Sequence, residues 1–574
     1  VHDGIGVWLA ALAEEPGAAA WGVLGEDRLE VHAAAPRAGM ARLAEALGGL
    51  GEVLWIEPAP GWAPRDETQR WIVQDNRPGE HTLLARGLNG SGQVLGLLDS
   101  EVFKDHCAFI DPYLRPPGPE HRKILAYNAP YGSSEHGTHV AAIAVGDGHQ
   151  GETDGIAPAA RMVYNRPPAF ADATLLERLR LHAAQGARVH SNSWGNDASR
   201  AYDAMVRAID QFCWEDDANL VVVAVSNGAA VTTPENAKSA LAVGASHDAP
   251  EQHRWFGGGA GPTLDGRRKP EVLAPGGGIV SAWGLNCFTK PMSGTSTAAP
   301  AVAGAALLAR QYFAQGWHPS GTPRPEDAFE PSGQLLRAVV VNSAEDLSGE
   351  AGWPTPREGF GRVRLDEALW FPGEARRLAV VDVRNRSEKS LAAGEERRYE
   401  LAVHEDAAAG ALEITMAYAD APGALGAAPA TVNDLDLVVE SPSGRVYYGN
   451  AIDAWSGASV DAGSGGRRDP LNTLEAVRIA SPEPGLWRVR VEGRGVHVPG
   501  QGFALAATGP VGAFAEPAPC AADLDGDGAA SVADLLAFLG AFRAADGRAD
   551  VDASGGVDVN DLLAYLGAFR AGCG

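Results

Sequence analysis

Cysteine is scarce in this sequence, with five residues in 574. None of the five stands in a CxxC pair or in the Cys/His spacing of a zinc site, which argues against a thiolate-held metal centre. Cys520 and Cys573 bracket the last segment of the chain and are candidates for a disulfide, which would imply an oxidising compartment. Because the total is odd, at least one thiol is free or intermolecular.

Basic residues are also few relative to acidic residues. The 47 Lys and Arg are outnumbered by 73 Asp and Glu, which gives a formal net charge of −26 at pH 7. This charge argues against nucleic acid and anionic membranes as partners. It fits a soluble secreted protein whose carboxylates hold Ca²⁺, or acidity that only keeps an Ala- and Gly-rich chain soluble.

Signals for insertion into a membrane or for export are missing too. No apolar run reaches transmembrane length, so we predict no membrane insertion. The chain starts with VHD and shows no basic region followed by an apolar one. Either a signal peptide has been removed, or export is not encoded in this sequence.

Three short segments carry the residue types of nucleophilic catalysis. Asp99 closes the apolar run GLLDS at 96–100, His136 opens HGTHVA at 136–141, and Ser296 lies in SGTSTAAP at 293–300. Acyl transfer to a serine needs a base to take its proton, a group that holds the base, and donors for the developing oxyanion. The apolar stretch 297–310 after the serine predicts a helix whose N-terminus favours negative charge there.

At these residues the chain resembles the subtilisin-like serine proteases, the subtilases, in which the order is Asp, His, Ser. The resemblance implies that Ser296 is the nucleophile, His136 the general base and then acid, and Asp99 the residue that fixes the imidazole tautomer. His139 is expected to pack or hydrogen-bond nearby. Further similar segments lie at 155–158, 240–245 and 269–276.

Two more segments match subtilase substrate-contacting positions. Asn227 follows the buried-looking run 220–225 and falls where the family has its oxyanion asparagine. The residues Ser193, Trp194 and Gly195 match the segment that pairs with the substrate backbone as an added strand. Binding of this kind reads the main chain first, so we expect broad specificity for protein and peptide substrates.

Two positions depart from the family pattern. Glu101 replaces a glycine two residues after Asp99, and we expect its carboxylate to raise the pKa of His136. Ser226 replaces the glycine before Asn227 and is expected to narrow the wall of the S1 pocket. The alternative to a secreted serine endopeptidase is therefore a catalytically impaired subtilase fold that is kept for binding.

The region 65–372 alternates buried-looking strands with helical stretches, as an α/β doubly wound parallel sheet does. We predict strands at 94–98, 189–193 and 220–225, with helices at 175–184 and 202–212. This region is the expected catalytic domain.

The first 64 residues are predicted to form a small α/β module, with strands at 28–33 and 51–57 and a helix around Met40–Leu47. The subtilase resemblance implies an inhibitory propeptide that is cleaved near Pro64 and Arg65. An ordinary N-terminal subdomain is the alternative.

The region 373–512 shows short alternating segments that are typical of an antiparallel β-sandwich. It resembles the jelly-roll-like domain of one branch of alkaline subtilases. Asp420, Asp434 and Asp436 either bind Ca²⁺ there or lie in solvated turns.

A predicted linker at 513–518 leads to two Asp-rich repeats within 519–574, spaced 27 residues apart, each followed by LLAxLGAFR. Each repeat follows EF-hand logic, with Asp instead of Glu at position 12. The repeats resemble dockerin-type modules, and this resemblance implies structural Ca²⁺ and a cohesin-like partner. A further alternative is therefore that the protein is a component attached to a surface or to a complex through this tail. A chance Asp-rich turn explains one repeat more readily than two in tandem. The expected ligands are Asp523, Asp525, Asp527, Ala529, Ser531 and Asp534, and then Asp550, Asp552, Ser554, Gly556, Asp558 and Asp561.

Overall fold

The computed structural model describes residues 18–23, 29–33, 65–148, 153–168, 172–284, 286–517, 520–524, 530–551 and 554–571. The chain divides into two compact units, Val1–Pro64 and Arg65–Gly574. In the first unit, β1 (Ala18–Val23) and β2 (Leu29–Ala33) pair antiparallel. The predicted helix around Met40–Leu47 and the predicted strand at 51–57 lie outside the described residues.

The second unit begins with alternating helices and strands. The helices are α1 (Arg65–Gln74), α2 (Thr82–Ala85), α3 (Glu135–Val145), α4 (Asp172–Ala184), α5 (Ala204–Glu215), α6 (Thr295–Ala314) and α7 (Gly333–Asn342). The strands are β3 (Val94–Leu98), β4 (Ile124–Tyr127), β5 (Arg161–Asn165), β6 (Val189–Asn192), β7 (Leu220–Ala224), β8 (Leu241–Ser246), β9 (Trp255–Gly257), β10 (Val272–Pro275), β11 (Ile279–Ala282), β12 (Thr289–Met292), β13 (Ala344–Glu345) and β14 (Arg362–Val363).

One sheet organises this region, with strand order β13-β14-β10-β8-β7-β6-β3-β5-β4. The strands from β14 to β4 run parallel, whereas β13 and β9 join antiparallel. The chain leaves β3 toward β4 and β5 and then crosses to β6 on the other side, so the topological switch lies between β3 and β6. The predicted α/β doubly wound parallel sheet is confirmed. Such a switch is where open α/β sheets bind ligands, at the carboxyl ends of the strands.

Helix α6 is buried over nearly its whole length. It is apolar on all sides, which suits a central helix covered by other elements. Its small residues allow close packing, because a Cβ on Gly304 would lie 2.5 Å from the Cβ of Ile156. Helix α6 therefore fixes the position of its own first turn, where Ser296 lies.

Ten antiparallel strands follow, as the alternating pattern predicts. They are β15 (Arg377–Val383), β16 (Glu396–Val403), β17 (Leu412–Ala417), β18 (Asn433–Glu440), β19 (Val446–Asp453), β20 (Ala458–Asp461), β21 (Leu474–Ile479), β22 (Gly485–Val496), β23 (Phe503–Gly509) and β24 (Val511–Ala515). They form a four-stranded sheet, β15-β23-β17-β21, and a six-stranded sheet, β20-β19-β18-β22-β16-β24, over one apolar core.

Strand β24 reaches into the predicted linker at 513–518. It pairs with β16, and the Phe514 ring lies edge-on to Tyr399 at 6.0 Å between centroids. These contacts keep residues 513–515 in the sheet, so the expectation of a linker there was wrong for these three residues.

The antiparallel sheets are joined to the parallel-sheet region through buried polar contacts. Lys238 donates to Asp420 Oδ2 at 2.5 Å, and neither side chain is exposed. Asp420 also accepts hydrogen bonds from Val432 N and Asn433 N at 2.8 Å each. The expectation that Asp420 binds Ca²⁺ or lies in a solvated turn was wrong, because its carboxylate is already neutralised and hydrogen-bonded in the interior.

The end of the chain has a small core of its own. Helices α8 (Val532–Arg543) and α9 (Val559–Ala571) meet through Phe538 and Tyr565, whose rings stack at 3.8 Å. Cys520 is disulfide-bonded, and Cys573 lies outside the described residues. In the part of the chain that the structure describes, none of the helices combines the length and apolar character needed to cross a membrane.

Candidate active site

Asp99 and His136 form a hydrogen-bonded pair at the end of β3. Asp99 is 2% exposed, and His136 Nδ1 donates to its Oδ1 at 2.7 Å. Burial lowers the pKa of His136, but the hydrogen bond and the negative charge of Asp99 outweigh burial, so the net pKa is raised. Because Nδ1 carries the hydrogen in this bond, Nε2 is left to accept a proton.

Ser100 holds this pair in place. Its hydroxyl donates to Asp99 Oδ1 at 3.0 Å and accepts from Gly137 N at 3.0 Å. The approach of α3 to the end of β3 is very close, because a Cβ on Gly137 would lie 2.0 Å from Ser100 O. The glycine of HGTH therefore lets the histidine reach the aspartate.

Ser296 lies in the first turn of α6, immediately after Thr295. Its carbonyl oxygen accepts a hydrogen bond from Ser193 Oγ at 3.0 Å. The N-terminus of a helix favours negative charge on a nearby group. Gly294 caps the helix at φ 145°, a conformation that side-chain-bearing residues rarely adopt.

Asn227 contacts the same helix start from the loop after β7. Its Oδ1 accepts from Thr295 N at 3.0 Å, and Oδ1 and Thr295 Oγ1 are 3.2 Å apart. These donors fix the amide orientation, so Nδ2 and its two hydrogens are the free donor end of the side chain. A Cβ at Gly294 would lie 3.0 Å from Asn227 Oδ1, which is a second reason for glycine there.

Strand register brings these groups to one edge of the sheet. Leu98 in β3 is paired with Asn192 in β6, so Asp99 and Ser193 follow directly on neighbouring strands. Neighbouring strands are about 4.8 Å apart. Since Asp99 holds His136 and Ser193 holds the Ser296 carbonyl, His136 and the Ser296 segment share this edge.

The segment Ser193, Trp194 and Gly195 leaves the sheet beside the site. Gly195 is exposed, and the next residue, Asn196, donates its N–H to Thr233 O at 2.7 Å. An extended segment beside a catalytic edge suits pairing with a substrate backbone. The Ser193 hydroxyl is already engaged with the Ser296 carbonyl.

His139 is a structural residue, as expected. Its Nε2 lies 3.1 Å from both Ile279 O and Lys290 O, and burial lowers its pKa to about 4. The ring is therefore neutral at pH 7 and donates to the β11–β12 hairpin. This contact joins the helix of His136 to the hairpin that leads into Ser296.

Of the two departures from the family pattern, Glu101 behaves differently from the expectation, whereas the effect of Ser226 on the S1 pocket stays a prediction. Glu101 is ion-paired with Arg166, and the raised pKa of His136 has its cause in Asp99. Ser226 turns its hydroxyl to Ala230 O at 2.7 Å. The first departure is thus neutralised by a cation, and the second strengthens its own loop.

The predicted calcium ligands are described only in part. Asp525, Asp527, Ala529 and Asp552 lie outside the described residues. Asp534 accepts from Leu524 N and Ser531 N at 2.8 Å each, and Asp561 accepts from Asp558 N at 2.8 Å. Asp550 accepts from Ser554 N and Gly555 N. Among the described residues, no group of three or more acidic, histidine or cysteine side chains is arranged to hold a metal ion.

One disulfide was not predicted from the sequence. Cys107 and Cys287 are bonded, with their Cα atoms 5.0 Å apart, and Cys213 is the buried free thiol among the described cysteines. The pairing joins residues 180 positions apart, so no local pattern could have shown it. It ties the loop after β3 to the β11–β12 hairpin.

Comparison with known proteins places this site in a family. Residues 90–361 match the model of the subtilase family, peptidase S8. The chain is similar to the serine protease/ABC transporter B family protein tagA of Dictyostelium discoideum, with 23% identity over 587 residues that cover 79% of this chain and 32% of that protein. It is also similar to bacillopeptidase F of Bacillus subtilis (strain 168), with 26% identity over 309 residues that cover 48% of this chain and 20% of that protein.

The chain thus spans about a third or less of the length of these two relatives. Among solved structures, that of the prenylagaramide maturation protease PagA is 24% identical, with a TM-score of 0.39, and covers 50% of this chain and 97% of that chain. The family model alone identifies residues 90–361 as a subtilase-family domain, peptidase S8, with the α/β fold described above.

Proposed function

We propose that the protein is a secreted serine endopeptidase that hydrolyses peptide bonds of proteins through an acyl-enzyme. The observation that carries the proposal is the 2.7 Å bond from His136 Nδ1 to the buried Asp99 at the sheet edge that also holds the Ser296 segment. This arrangement leaves Nε2 of the imidazole as the base for a serine hydroxyl.

In the first step, the Ser296 hydroxyl attacks the scissile carbonyl while His136 Nε2 takes its proton. The C–N bond then breaks, and the imidazolium gives that proton to the leaving amine. Water attacks the acyl-enzyme in the second half, again with His136 as base and then acid. Asp99 stabilises the imidazolium in both halves, since its carboxylate is buried and accepts the Nδ1 hydrogen.

Asn227 supplies the donor for the oxyanion. Its Nδ2 is the free end of an amide whose oxygen is held by Thr295 N. A donor that is fixed before the reaction stabilises charge that develops only in the transition state. The N-terminus of α6 adds to this stabilisation.

Turnover of a chromogenic peptide by single variants tests the proposal. Ser296→Ala and His136→Ala should lower kcat by at least about 10⁴-fold, and Asn227→Ala by about 10²–10³-fold with little change in KM. A wild-type protein that folds but shows no Ser296-dependent turnover would support the impaired, binding-only alternative instead.

We also propose that residues 1–64 are a propeptide that is removed near Pro64 and Arg65. The division into compact units at this point supports the assignment. The disulfides at Cys107–Cys287 and at Cys520 support secretion, because such bonds persist in oxidising compartments. N-terminal sequencing should find a new terminus near residue 65 in the wild type and the original terminus in Ser296→Ala.

A second function, attachment through the tail, is supported by its surface. Helices α8 and α9 expose the same three apolar positions, one repeat apart: Val532, Leu536 and Leu539, and then Val559, Leu563 and Leu566. We propose that this pair of matching faces binds a cohesin-like partner. Carboxylate and hydroxyl oxygens in the two loops that precede these helices are the donors that Ca²⁺ prefers.

Calcium binding by the full-length protein tests the tail proposal. Titration calorimetry should detect sites that Asp534→Asn and Asp561→Asn weaken. An immobilised cohesin domain should retain the wild type with Ca²⁺ and release it with a chelator. Retention that is unaffected by Leu536→Asp with Leu563→Asp would rule out the proposed faces.

A further inference from the structure

Glu235 lies between the two segments proposed to contact the substrate, although it belongs to none of the motifs. It is 1% exposed. Its Oε1 accepts three hydrogen bonds, from Ser226 N at 3.0 Å and from Thr232 N and Thr232 Oγ1 at 2.7 Å each. Ser226 directly precedes Asn227, so Glu235 anchors the loop that carries the oxyanion donor.

The other carboxylate oxygen faces the substrate-pairing segment. A Cβ on Gly195 would lie 3.5 Å from Glu235 Oε2 and 2.9 Å from Thr233 O. Oε2 is buried and has no hydrogen-bond partner among the described residues. The carboxylate therefore binds the Asn227 loop through Oε1, and its Oε2 borders the space that a side chain at position 195 would occupy.

The loop needs such an anchor because it has no regular secondary structure. Asn227 itself is exposed, and within the part of the chain that the structure describes it is tied to α6 through its side-chain oxygen. Hydrogen bonds to a carboxylate are shorter and stronger than those to a neutral acceptor, and three of them converge on one oxygen here. Loss of this acceptor would leave Ser226 N without a partner, and the backbone before Asn227 would then be held mainly by the hydrogen bond from Gly259 N to Ser226 O at 2.8 Å.

We infer that Glu235 is a positioning residue for the proposed peptidase reaction: it holds Asn227 at the distance from Ser296 that oxyanion stabilisation requires. The inference rests on the proposed function. If Glu235 had a purely structural role, its substitution would lower activity whether or not Asn227 is present; in a positioning role, the loss depends on Asn227. If Glu235 bound substrate, its substitution would change KM; in a positioning role, the substitution lowers kcat.

A double-mutant cycle separates these roles. Glu235→Ala should lower kcat by about 10- to 100-fold, which is part of the loss expected when the oxyanion donor itself is missing. The KM should change by less than roughly threefold. In the Asn227→Ala background the same substitution should lower kcat by less than roughly threefold. Glu235→Gln keeps an acceptor oxygen of the same reach and should restore most of the activity.

Glu358 provides a matched control. It is also fully buried, and it accepts from Leu347 N at 3.1 Å and from Thr355 Oγ1 at 3.0 Å, in a loop outside the site. Glu358→Ala should lower thermal stability about as much as Glu235→Ala but leave kcat unchanged. If Glu235→Ala does not fold, Glu235→Asp, whose shorter side chain cannot reach all three donors, takes its place in the cycle.

Equal losses of kcat from Glu235→Ala with and without Asn227 would overturn the inference, as would a change confined to KM. These outcomes are distinct from failure of the proposed peptidase function. If the proposed function fails, the wild type itself will show no turnover that depends on Ser296.

Discussion

His136 has its pKa set by two opposing effects. Burial disfavours the imidazolium, whereas the hydrogen bond and charge of Asp99 favour it and prevail. The ring must be neutral to act as a base, so a raised pKa moves the onset of activity to higher pH. Its contribution to stability has the opposite pH dependence: it is complete below the unfolded pKa and is lost as pH rises through the raised folded value.

The kcat/KM profile against pH measures this effect. We expect the acid limb of the wild type to have its midpoint above pH ~6.5, the ordinary pKa of histidine. Asp99→Asn should move the midpoint down and lower activity by about 10⁴-fold, because the tautomer is no longer held. Glu101→Gln serves as the control and should leave the midpoint in place, since Glu101 is paired with Arg166. A midpoint that moves with Glu101 and not with Asp99 would contradict the assignment.

The catalytic candidates could be found from the sequence because each lies within a short motif. Asp99, His136, Asn227 and Ser296 all have neighbours that identify them. The supporting residues could not be found this way. Arg166 neutralises Glu101 from the end of β5, and Glu235 acts through contacts between separate loops. Such partners depend on the fold and leave no local pattern.

The β11–β12 hairpin is the element that links the two halves of the site. The hairpin accepts hydrogen bonds from His139, which lies on the same helix as His136, and the chain continues from the hairpin directly into the segment of Ser296. Its tip carries Cys287, bonded to Cys107 in the loop after β3. The disulfide therefore restrains the same hairpin from its exposed end.

Removal of this disulfide should weaken both fold and activity. Cys107→Ser with Cys287→Ser should lower the free energy of unfolding by up to about 5 kcal/mol, because the bond closes a loop of 180 residues. Urea unfolding measures the change, and kcat should fall with it. Cys213→Ala, at the buried free thiol, is the control, and its kcat should stay that of the wild type. Unchanged stability and activity in the double variant would mean that the hairpin is held by other contacts.

Elements with strong patterns were predicted best. The strand at 94–98 is the observed β3, and the region 373–512 holds antiparallel strands, as its alternating pattern predicts. The β11–β12 hairpin was not predicted, because β12 reads Thr-Lys-Pro-Met, is exposed over most of its length and contains a proline. Helix α6 begins at Thr295, two residues before the predicted start, because glycine at 294 already supplies its cap.

On the scale of the whole molecule, Lys238 and Asp420 join the protease domain to the antiparallel sheets. Both are fully buried, and Lys238 also donates to Ala421 O at 2.6 Å. Removing one member of a buried pair leaves the other charge unpaired, which typically costs about 3–5 kcal/mol. The two parts of the chain therefore depend on each other for stability.

Thermal and urea unfolding test this dependence. Lys238→Met should lower the free energy of unfolding by about 3–5 kcal/mol. Addition of Asp420→Asn should recover part of the loss, since the amide still accepts from the backbone of the next strand without a charge. Equal stability of Lys238→Met and the wild type would show that the junction does not rely on this pair.

The central claim is that Ser296 is an activated nucleophile. Reaction with a fluorophosphonate probe, followed by peptide mass mapping, tests it most directly, because the probe bonds only to a serine whose proton is removed by a nearby base. We expect one adduct per chain, on Ser296, that is absent in Ser296→Ala and forms much more slowly in His136→Ala. A folded wild-type protein that stays unlabelled, or that is labelled at another serine, would contradict it.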